Sequence, residues 1–173
     1  KYSVMHMTLD NSGAANAGLA PAGGQPNDLE LNGFDVHFAD VFEGGLHLHY
    51  YHASGAGNVG NTLDIYGFDW ARDYNEWDFY VQYAAQGGDN GAATATSYDG
   101  EMWHLAVGYD VDEENKVGLS YLSFSGDDLA TADNNSEAWV DVAGDNHAYL
   151  GFADVFGLTN IEDITFTWDR KIN

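Results

Sequence analysis

Two stretches of alternating sequence decide the fold: WDFYVQY at residues 77–83 and WHLAVGY at residues 103–109. In both, every second side chain is apolar, and the apolar series begins with Trp and ends with Tyr. Successive side chains of a β-strand leave opposite faces of the sheet, so this period of two predicts strands with one apolar and one polar face. An apolar face bounded by aromatic rings is typical of strands that cross a bilayer in a barrel, because such rings favour the water–lipid boundary.

The composition is strongly acidic. Of 173 residues, 28 are Asp or Glu and 5 are Lys or Arg, which gives a formal net charge of −23 at pH 7. This balance argues against nucleic acid as a partner, because phosphate binding needs clustered Lys and Arg. The chain has no Cys, so disulfides and thiolate metal ligands are excluded. The length suits one domain, and we interpret residues 1–173 as a single β-domain.

The same alternation recurs along the chain and predicts eight strands. Proline, which would remove donors from a sheet, occurs only at Pro21 and Pro26, and no segment shows a convincing helical stripe. The predicted strands are Tyr2–Leu9, Leu31–Val41, Leu46–His52, Thr62–Ala71, Glu76–Ala85, Glu101–Asp110, Lys116–Ser125 and Ile161–Lys171.

The connections between these strands alternate between long loops and tight turns. All tight turns therefore fall at one end of the sheet and all long loops at the other, which is typical of outer-membrane barrels. A soluble sandwich would have Greek-key crossovers instead. We predict an all-β fold, an antiparallel up-and-down transmembrane β-barrel. Because the predicted inward side chains near residues 106–120 are small, we expect a lumen wider than eight strands enclose, with this chain as one section of a larger barrel.

A series of sequence blocks extends from residue 76 to about residue 163. The blocks are residues 77–86, YDGEMWHLAVGY at 98–109, KVGLSY at 116–121, SGDD at 125–128 and NHAYLGFADVFGLTNIED at 146–163. In order and spacing they resemble the alginate export family of outer-membrane porins. The resemblance implies a large monomeric barrel that passes polar or anionic solutes, including polysaccharide, through the outer membrane of a Gram-negative-type bacterium.

The charge of the chain departs from that family's pattern. The resemblance implies a lumen lined with Arg and Lys that attracts a polyanion. The basic residues of this chain are Lys1, Arg72, Lys116, Arg170 and Lys171, and four of them are predicted to lie at or near the short-turn end. A channel for cations or neutral polar solutes therefore fits the sequence better than a channel for a polyanion.

We expect function to reside on the inward faces of the strands and in the long loops. The side chains predicted to contact the permeating solute are Asp35, His37, His47, His49, Asp64, Asp78, Tyr80, Gln82 and His104. Histidines on this face would make the lumen more positive near pH 6. The aromatic residues predicted at the membrane interfaces are Trp77 and Tyr109 at the short-turn boundary, and Tyr83 and Trp103 at the long-loop boundary.

Three groups of residues have the composition of metal sites: His47, His49 and His52, the carboxylates of residues 110–114, and those of residues 127–133. The acidic groups lack the spacing of an EF-hand loop. We interpret all three as polar lumen residues or solvated turns, and predict no metal and no cofactor.

The chain also lacks the sequence motifs of common catalytic sites. We therefore predict that it is not an enzyme, and that no residue is catalytic. The expected partners are outer-membrane lipid and a polar small solute or polysaccharide. The alternative is a soluble acidic β-domain with a surface binding or scaffolding role, stabilised by Ca²⁺.

Overall fold

A computed structural model describes residues 1–9, 29–55, 62–89, 97–126, 135–139 and 160–172 of the chain. Within these ranges the regular secondary structure is entirely β, and no helix that could cross a membrane is present. The strands are β1 (Tyr2–Leu9), β2 (Leu29–Val41), β3 (Gly44–Gly55), β4 (Thr62–Tyr74), β5 (Trp77–Asp89), β6 (Ser97–Tyr98), β7 (Glu101–Asp110), β8 (Asn115–Phe124), β9 (Asn135–Ser136) and β10 (Ile161–Arg170).

Eight of these strands form one antiparallel sheet in which each strand pairs with its neighbours in the chain. The order is β1-β2-β3-β4-β5-β7-β8-β10. The two-residue strands lie off this path, because β6 pairs with the end of β5 and runs parallel to β9. The prediction of an all-β, antiparallel, up-and-down fold is confirmed. In the part of the chain that is described, β1 and β10 are the two edges of an open sheet.

All eight predicted strands are present, and they differ from the predictions only at their ends. The predicted bounds of β1 and β7 are those observed, whereas β3 and β5 extend into Gly-rich sequence that was predicted to be turn or loop. The ladder continues through these glycines, since Gly44 pairs with Val41 and Gly88 pairs with Leu63. Glycine in a strand end is thus tolerated here because its backbone hydrogen bonds are still made.

Tight turns join the strands at one end of the sheet. The turn between β2 and β3 consists of Phe42 and Glu43, whose φ angles are 54° and 59°, and the next turn begins at Asn75 with φ 54°. Two-residue loops with positive φ match the right-handed twist of the strands that they connect. The alternation of long and short connections predicted from the sequence is therefore observed.

The third tight turn, between β7 and β8, is organised by one carboxylate. Asp112 Oδ1 accepts hydrogen bonds from the backbone N–H of Glu114 at 2.9 Å and of Asn115 at 2.8 Å. The Asn115 side-chain amide also donates to both carboxylate oxygens. The hydrogen bonds from Glu114 and Asn115 lower the pKa of the Asp112 carboxyl below its ordinary value. Asp112 therefore serves as a turn residue, for which short acidic side chains are well suited.

The register of the ladders separates the sheet into two faces. Directly opposed residues of an antiparallel pair share a face. One face, called the apolar face, carries every large hydrophobic side chain of the strands that is strongly exposed. These residues are Tyr2, Val4, Phe34, Phe38, Leu48, Tyr50, Tyr66, Tyr74, Trp77, Phe79, Trp103, Leu105, Leu119, Ile164, Phe166 and Trp168. The opposite face, called the polar face, carries most of the predicted solute-contacting residues.

The band of apolar side chains crosses the sheet obliquely. Toward the long loops, the last member of the band is Tyr66 on β4, Tyr83 on β5 and Tyr121 on β8. Tyr83 lies one ladder row, or two residues, further from the long loops than Tyr66 does. Tyr121 lies one ladder row further from them than Tyr83 does. The band thus descends by about 13 Å along the strand direction from β4 to β8. The strands are therefore inclined to the band, as strands are inclined to the axis of a barrel.

A small apolar cluster is buried on the polar face at the long-loop end. Trp139 covers it, with its ring centroid 5.7 Å from that of Phe124. The segment carrying Trp139 is held by Ser125, whose carbonyl oxygen accepts the Trp139 N–H at 3.1 Å and whose hydroxyl donates to the Glu137 carbonyl at 2.6 Å. The buried members of the cluster are Ala84, Met102, Leu122 and Phe124.

Phe124→Ala should destabilise the fold by about 3–5 kcal/mol, because it removes a ring that is only 3 % exposed and leaves a cavity beneath Trp139. Urea unfolding followed by Trp fluorescence measures the change. The matched control is Phe42→Ala, a ring that is 84 % exposed in the first tight turn, for which the change should stay within about 0.5 kcal/mol. Equal effects of the two variants would contradict the proposed packing.

Asp112→Ala should open the β7–β8 turn, and acid should have the same effect on the unmodified chain. Because the folded pKa of Asp112 is lowered, its stabilising contribution is present above the ordinary carboxyl pKa and is lost as the pH falls through the folded value. Amide hydrogen exchange at Glu114 and Asn115 reports the opening. Asp112→Asn keeps an acceptor oxygen and should exchange more slowly than the Ala variant.

Candidate functional site

Eight of the nine predicted solute-contacting residues lie together on the polar face. The ladders place His37 opposite His47 and Gln82 opposite His104. The rings of Tyr80 and His104 are in edge contact, with centroids 5.2 Å apart. The eight residues are Asp35, His37, His47, His49, Asp78, Tyr80, Gln82 and His104.

The prediction that Asp64 shares this face is wrong. Asp64 pairs with His52 and lies on the apolar face, where its Oδ1 accepts the Tyr50 hydroxyl at 2.7 Å and lies 2.7 Å from His52 Nδ1. The cause is a change of alternation within β4. Leu63 and Ile65 lie on the polar side, where Leu63 is buried and Ile65 packs against the buried cluster, whereas the apolar residues from Tyr66 onward face the other way.

Asp69, and not Asp64, is the carboxylate of β4 that lies beside the histidines on the polar face. It pairs with His47 on one side and with Gln82 on the other. The alternation of Tyr66, Phe68 and Trp70, taken without Leu63 and Ile65, would have assigned Asp69 to the polar face.

Asp35, His47 and Asp69 form a contact row across β2, β3 and β4. His47 Nδ1 lies 3.1 Å from Asp69 Oδ2, and His47 Nε2 lies 3.5 Å from Asp35 Oδ1. Asp35 also accepts hydrogen bonds from the Tyr51 hydroxyl at 2.8 Å and the Ser3 hydroxyl at 3.2 Å. One imidazole is thus held between two carboxylates whose own positions are set by neighbouring strands.

Two further histidines flank His47 on the same face. The His37 ring is 6.0 Å from the His47 ring, and the His49 ring is 6.2 Å from it, between centroids. His49 in turn stacks on Tyr51 at 5.8 Å. We call Asp35, His37, His47, His49 and Asp69 the histidine–carboxylate cluster.

The three histidines that are close in sequence do not gather into one site. His47 and His49 belong to the cluster, while His52 lies on the apolar face beside Asp64. In the part of the chain that is described, no three His, Cys, Asp or Glu side chains are arranged to hold a metal ion. The predicted acidic group at residues 127–133 lies outside the described residues.

The basic side chains lie toward the short-turn end of the sheet, where carboxylates accompany them. Lys116 forms an ion pair with Asp78 on the polar face, and Arg170 lies 3.8 Å from Glu114. Arg72 forms an ion pair with Glu43 and lies over the Tyr74 ring at 4.9 Å. Lys1 exchanges backbone hydrogen bonds with His37 at the sheet edge. None of these residues builds a basic row across the middle of the polar face.

Two cross-strand aromatic pairs mark the ends of the apolar band. Trp77 pairs with Tyr109, with ring centroids 4.7 Å apart, and Tyr83 pairs with Trp103 at 4.5 Å. Aromatic pairs at this spacing stabilise neighbouring strands. The four residues predicted at the membrane interfaces therefore occupy two levels of one face, separated by the apolar side chains between them.

The two faces of the sheet present different chemical groups. The polar face offers carboxylate oxygens, imidazoles, an amide and hydroxyls, which suit cations and neutral polar molecules. The apolar face offers hydrocarbon and aromatic rings in its middle rows, with Arg72 toward the short-turn end and Asp64 and His52 toward the long-loop end. The two faces of the sheet therefore differ in the groups that they present.

No protein-family model, curated protein or solved structure matches this chain. The resemblance of residues 76–163 to alginate export porins therefore stays a prediction from the sequence blocks. The two faces of the sheet are the features that bear on function.

Gly67→Ala should destabilise the sheet by about 1–3 kcal/mol, because a Cβ there would overlap the Tyr83 carbonyl oxygen and lie 2.8 Å from His49 Nε2. Gly67 thus admits the His49 ring to the polar face. Gly87→Ala is the matched control, since its Cβ would meet no atom within 4 Å and should change stability by less than about 0.5 kcal/mol. Thermal unfolding of both variants checks the difference, and a neutral Gly67→Ala would refute this packing.

Proposed function

We propose that this chain forms the wall, or a section of the wall, of a transmembrane β-barrel in the outer membrane of a Gram-negative-type bacterium. The barrel acts as a porin-like channel through which polar solutes diffuse. The observation that carries the proposal is the apolar face, where all sixteen strongly exposed large hydrophobic side chains of the strands are found.

The free energy of burying apolar side chains favours contact of the apolar face with lipid. Water-exposed apolar patches on monomeric soluble proteins rarely exceed a few hundred Å². Fully burying one large apolar side chain is worth about 1.5–3 kcal/mol, whereas a whole domain is stable by about 5–15 kcal/mol. If sixteen such side chains faced water, the free energy of burial lost would be larger than the net stability of a whole domain. Hydrocarbon tails cover the face without any further protein segment.

The dimensions of the strands suit a bilayer. A transmembrane β-strand needs about 9–11 residues at a tilt of about 45°. Seven strands of the sheet, β2 to β5, β7, β8 and β10, have 10 to 13 residues. The oblique apolar band is what tilted strands present to a membrane whose surface is flat, and the aromatic pairs at its two ends suit the two interfaces.

The polar face then lines an aqueous lumen. Its acidic and histidine side chains favour cations and neutral polar solutes, small molecules or neutral polysaccharide, over a polyanion. Export of alginate, which the sequence resemblance implies, would need basic residues from other strands. A soluble binding domain would instead need a partner that covers the apolar face over all eight strands.

Insertion can be tested with single-Trp variants in phosphatidylcholine vesicles that contain brominated acyl chains, which quench nearby indole rings. Trp77 and Trp103, on the apolar face, should lose at least about half of their fluorescence, as rings at the lipid boundary do. Trp139 is the internal control, because it lies on the polar side against Phe124. Equal quenching of all three, or none, would refute the transmembrane arrangement.

The same vesicles test permeation. Liposomes containing the protein should swell in small neutral sugars, at rates that fall as the sugar becomes larger. Vesicles whose Trp77 and Trp103 are quenched but which do not swell would retain the membrane location and refute the channel.

A further inference from the structure

We propose that the histidine–carboxylate cluster is the charge-selecting zone of the channel, which favours small cations while its histidines are neutral and loses that preference when they are protonated. The inference rests on the proposed function, because it concerns which ions the polar face admits. It names a zone on strands β2, β3 and β4 and adds Asp69, which the sequence had not indicated.

The first step of the argument is the arrangement of charge. Asp35 and Asp69 lie on either side of His47, at 3.5 Å and 3.1 Å from its two ring nitrogens. The side chain of Asp35 is 17 % exposed and that of Asp69 is 28 % exposed, so both are partly shielded from water. Fixed negative charges with limited solvation raise the local concentration of cations in a lumen.

The second step is the balance of charge within the cluster. With neutral imidazoles, the two carboxylates leave the cluster negative. Protonation of two of the three imidazoles would be enough to cancel the two negative charges. Because histidine is the side chain whose ordinary titration falls between pH 5 and 8, a change in this range acts on the cluster before the carboxylates respond.

The third step is the set of other groups that face the cluster. Tyr51 lies beside the cluster on β3, and its hydroxyl donates a hydrogen bond to Asp35. Gln82 on β5 is opposite Asp69. Lys1, which precedes the edge strand β1, is opposite His37 and exchanges backbone hydrogen bonds with it. It is separated from Asp69 by β2 and β3, so the two carboxylates remain the charges next to His47.

The apolar face supplies matched controls. Asp64 and His52 form an Asp–His contact of 2.7 Å, as Asp69 and His47 do at 3.1 Å, but they lie on the opposite side of the same sheet. Removing a charge from Asp64 alters the protein's net charge as much as removing it from Asp69. Only the Asp69 change alters the charge of the proposed lumen wall.

The experiment is the reversal potential of the barrel that contains this chain, reconstituted in planar bilayers under a KCl gradient. At pH 7.5 the unmodified protein should prefer K⁺ to Cl⁻. Asp35→Asn and Asp69→Asn should each lower the permeability ratio at least about twofold, while Asp64→Asn should leave it unchanged.

A second measurement needs no carboxylate variant. Lowering the pH from 7.5 to 5.5 should reduce the K⁺ preference of the unmodified protein at least about twofold, because the ordinary titration range of the histidine side chain falls in this interval and that of the aspartate side chain falls below it. His47→Gln should weaken this response, and His52→Gln should preserve it.

The outcomes separate the two proposals. A channel whose selectivity is the same in Asp69→Asn and Asp64→Asn would overturn the charge-selecting zone and leave the porin-like function standing. If Asp69→Asn fails to fold, a channel with no response between pH 7.5 and 5.5 overturns the zone in the same way. Absence of conductance from folded, inserted protein would overturn the channel itself, and this inference with it.

Discussion

The backbone ladder of the sheet is the constraint on which the rest of the structure depends. Each antiparallel pair fixes which residues are opposite each other, and opposed residues share a face, so one register determines the position of every side chain. A slip by one residue would exchange the two faces of a strand. Here the registers of β1 to β5, β7, β8 and β10 agree, and the large exposed apolar side chains of all eight strands fall on one side.

This agreement gives the sheet two chemically different faces. On β5 and β7 the apolar band has an aromatic pair at each end, and the band is inclined to the ladder rows, as strands are inclined to the axis of a barrel. The polar face carries carboxylates and histidines in mutual contact. Where the polar face does bury apolar side chains, around Met102 and Phe124, Trp139 from the β8–β10 connection covers them. The apolar groups of this cluster are thus covered by protein, whereas the large side chains of the apolar face are exposed.

The polar face also shows how a net charge is distributed. The chain as a whole is acidic, and three of its five basic side chains, Arg72, Lys116 and Arg170, are paired with carboxylates near the short turns. The middle of the face is left to the histidine–carboxylate cluster, in which each carboxylate contacts an imidazole. A polar surface of this composition can change its charge with pH, and a surface lined with Lys and Arg cannot do so in the same range.

The sequence by itself determined the fold class, the eight strands and the face of most residues, because strict alternation in segments such as 77–83 and 103–109 permits only one assignment. It also assigned Trp77 and Tyr109 to one level of the sheet and Tyr83 and Trp103 to another, and the ladder pairs them at those levels. Only the tertiary structure decided β4, where Leu63 and Ile65 belong to one face and Tyr66, Phe68 and Trp70 to the other. Both faces of β4 carry apolar side chains, because the buried cluster lies on one side near the long loops and the apolar band lies on the other side. Alternation around Leu63 and Ile65 therefore predicted Asp64 on the polar face, whereas the pairing with His47 shows that Asp69 lies there.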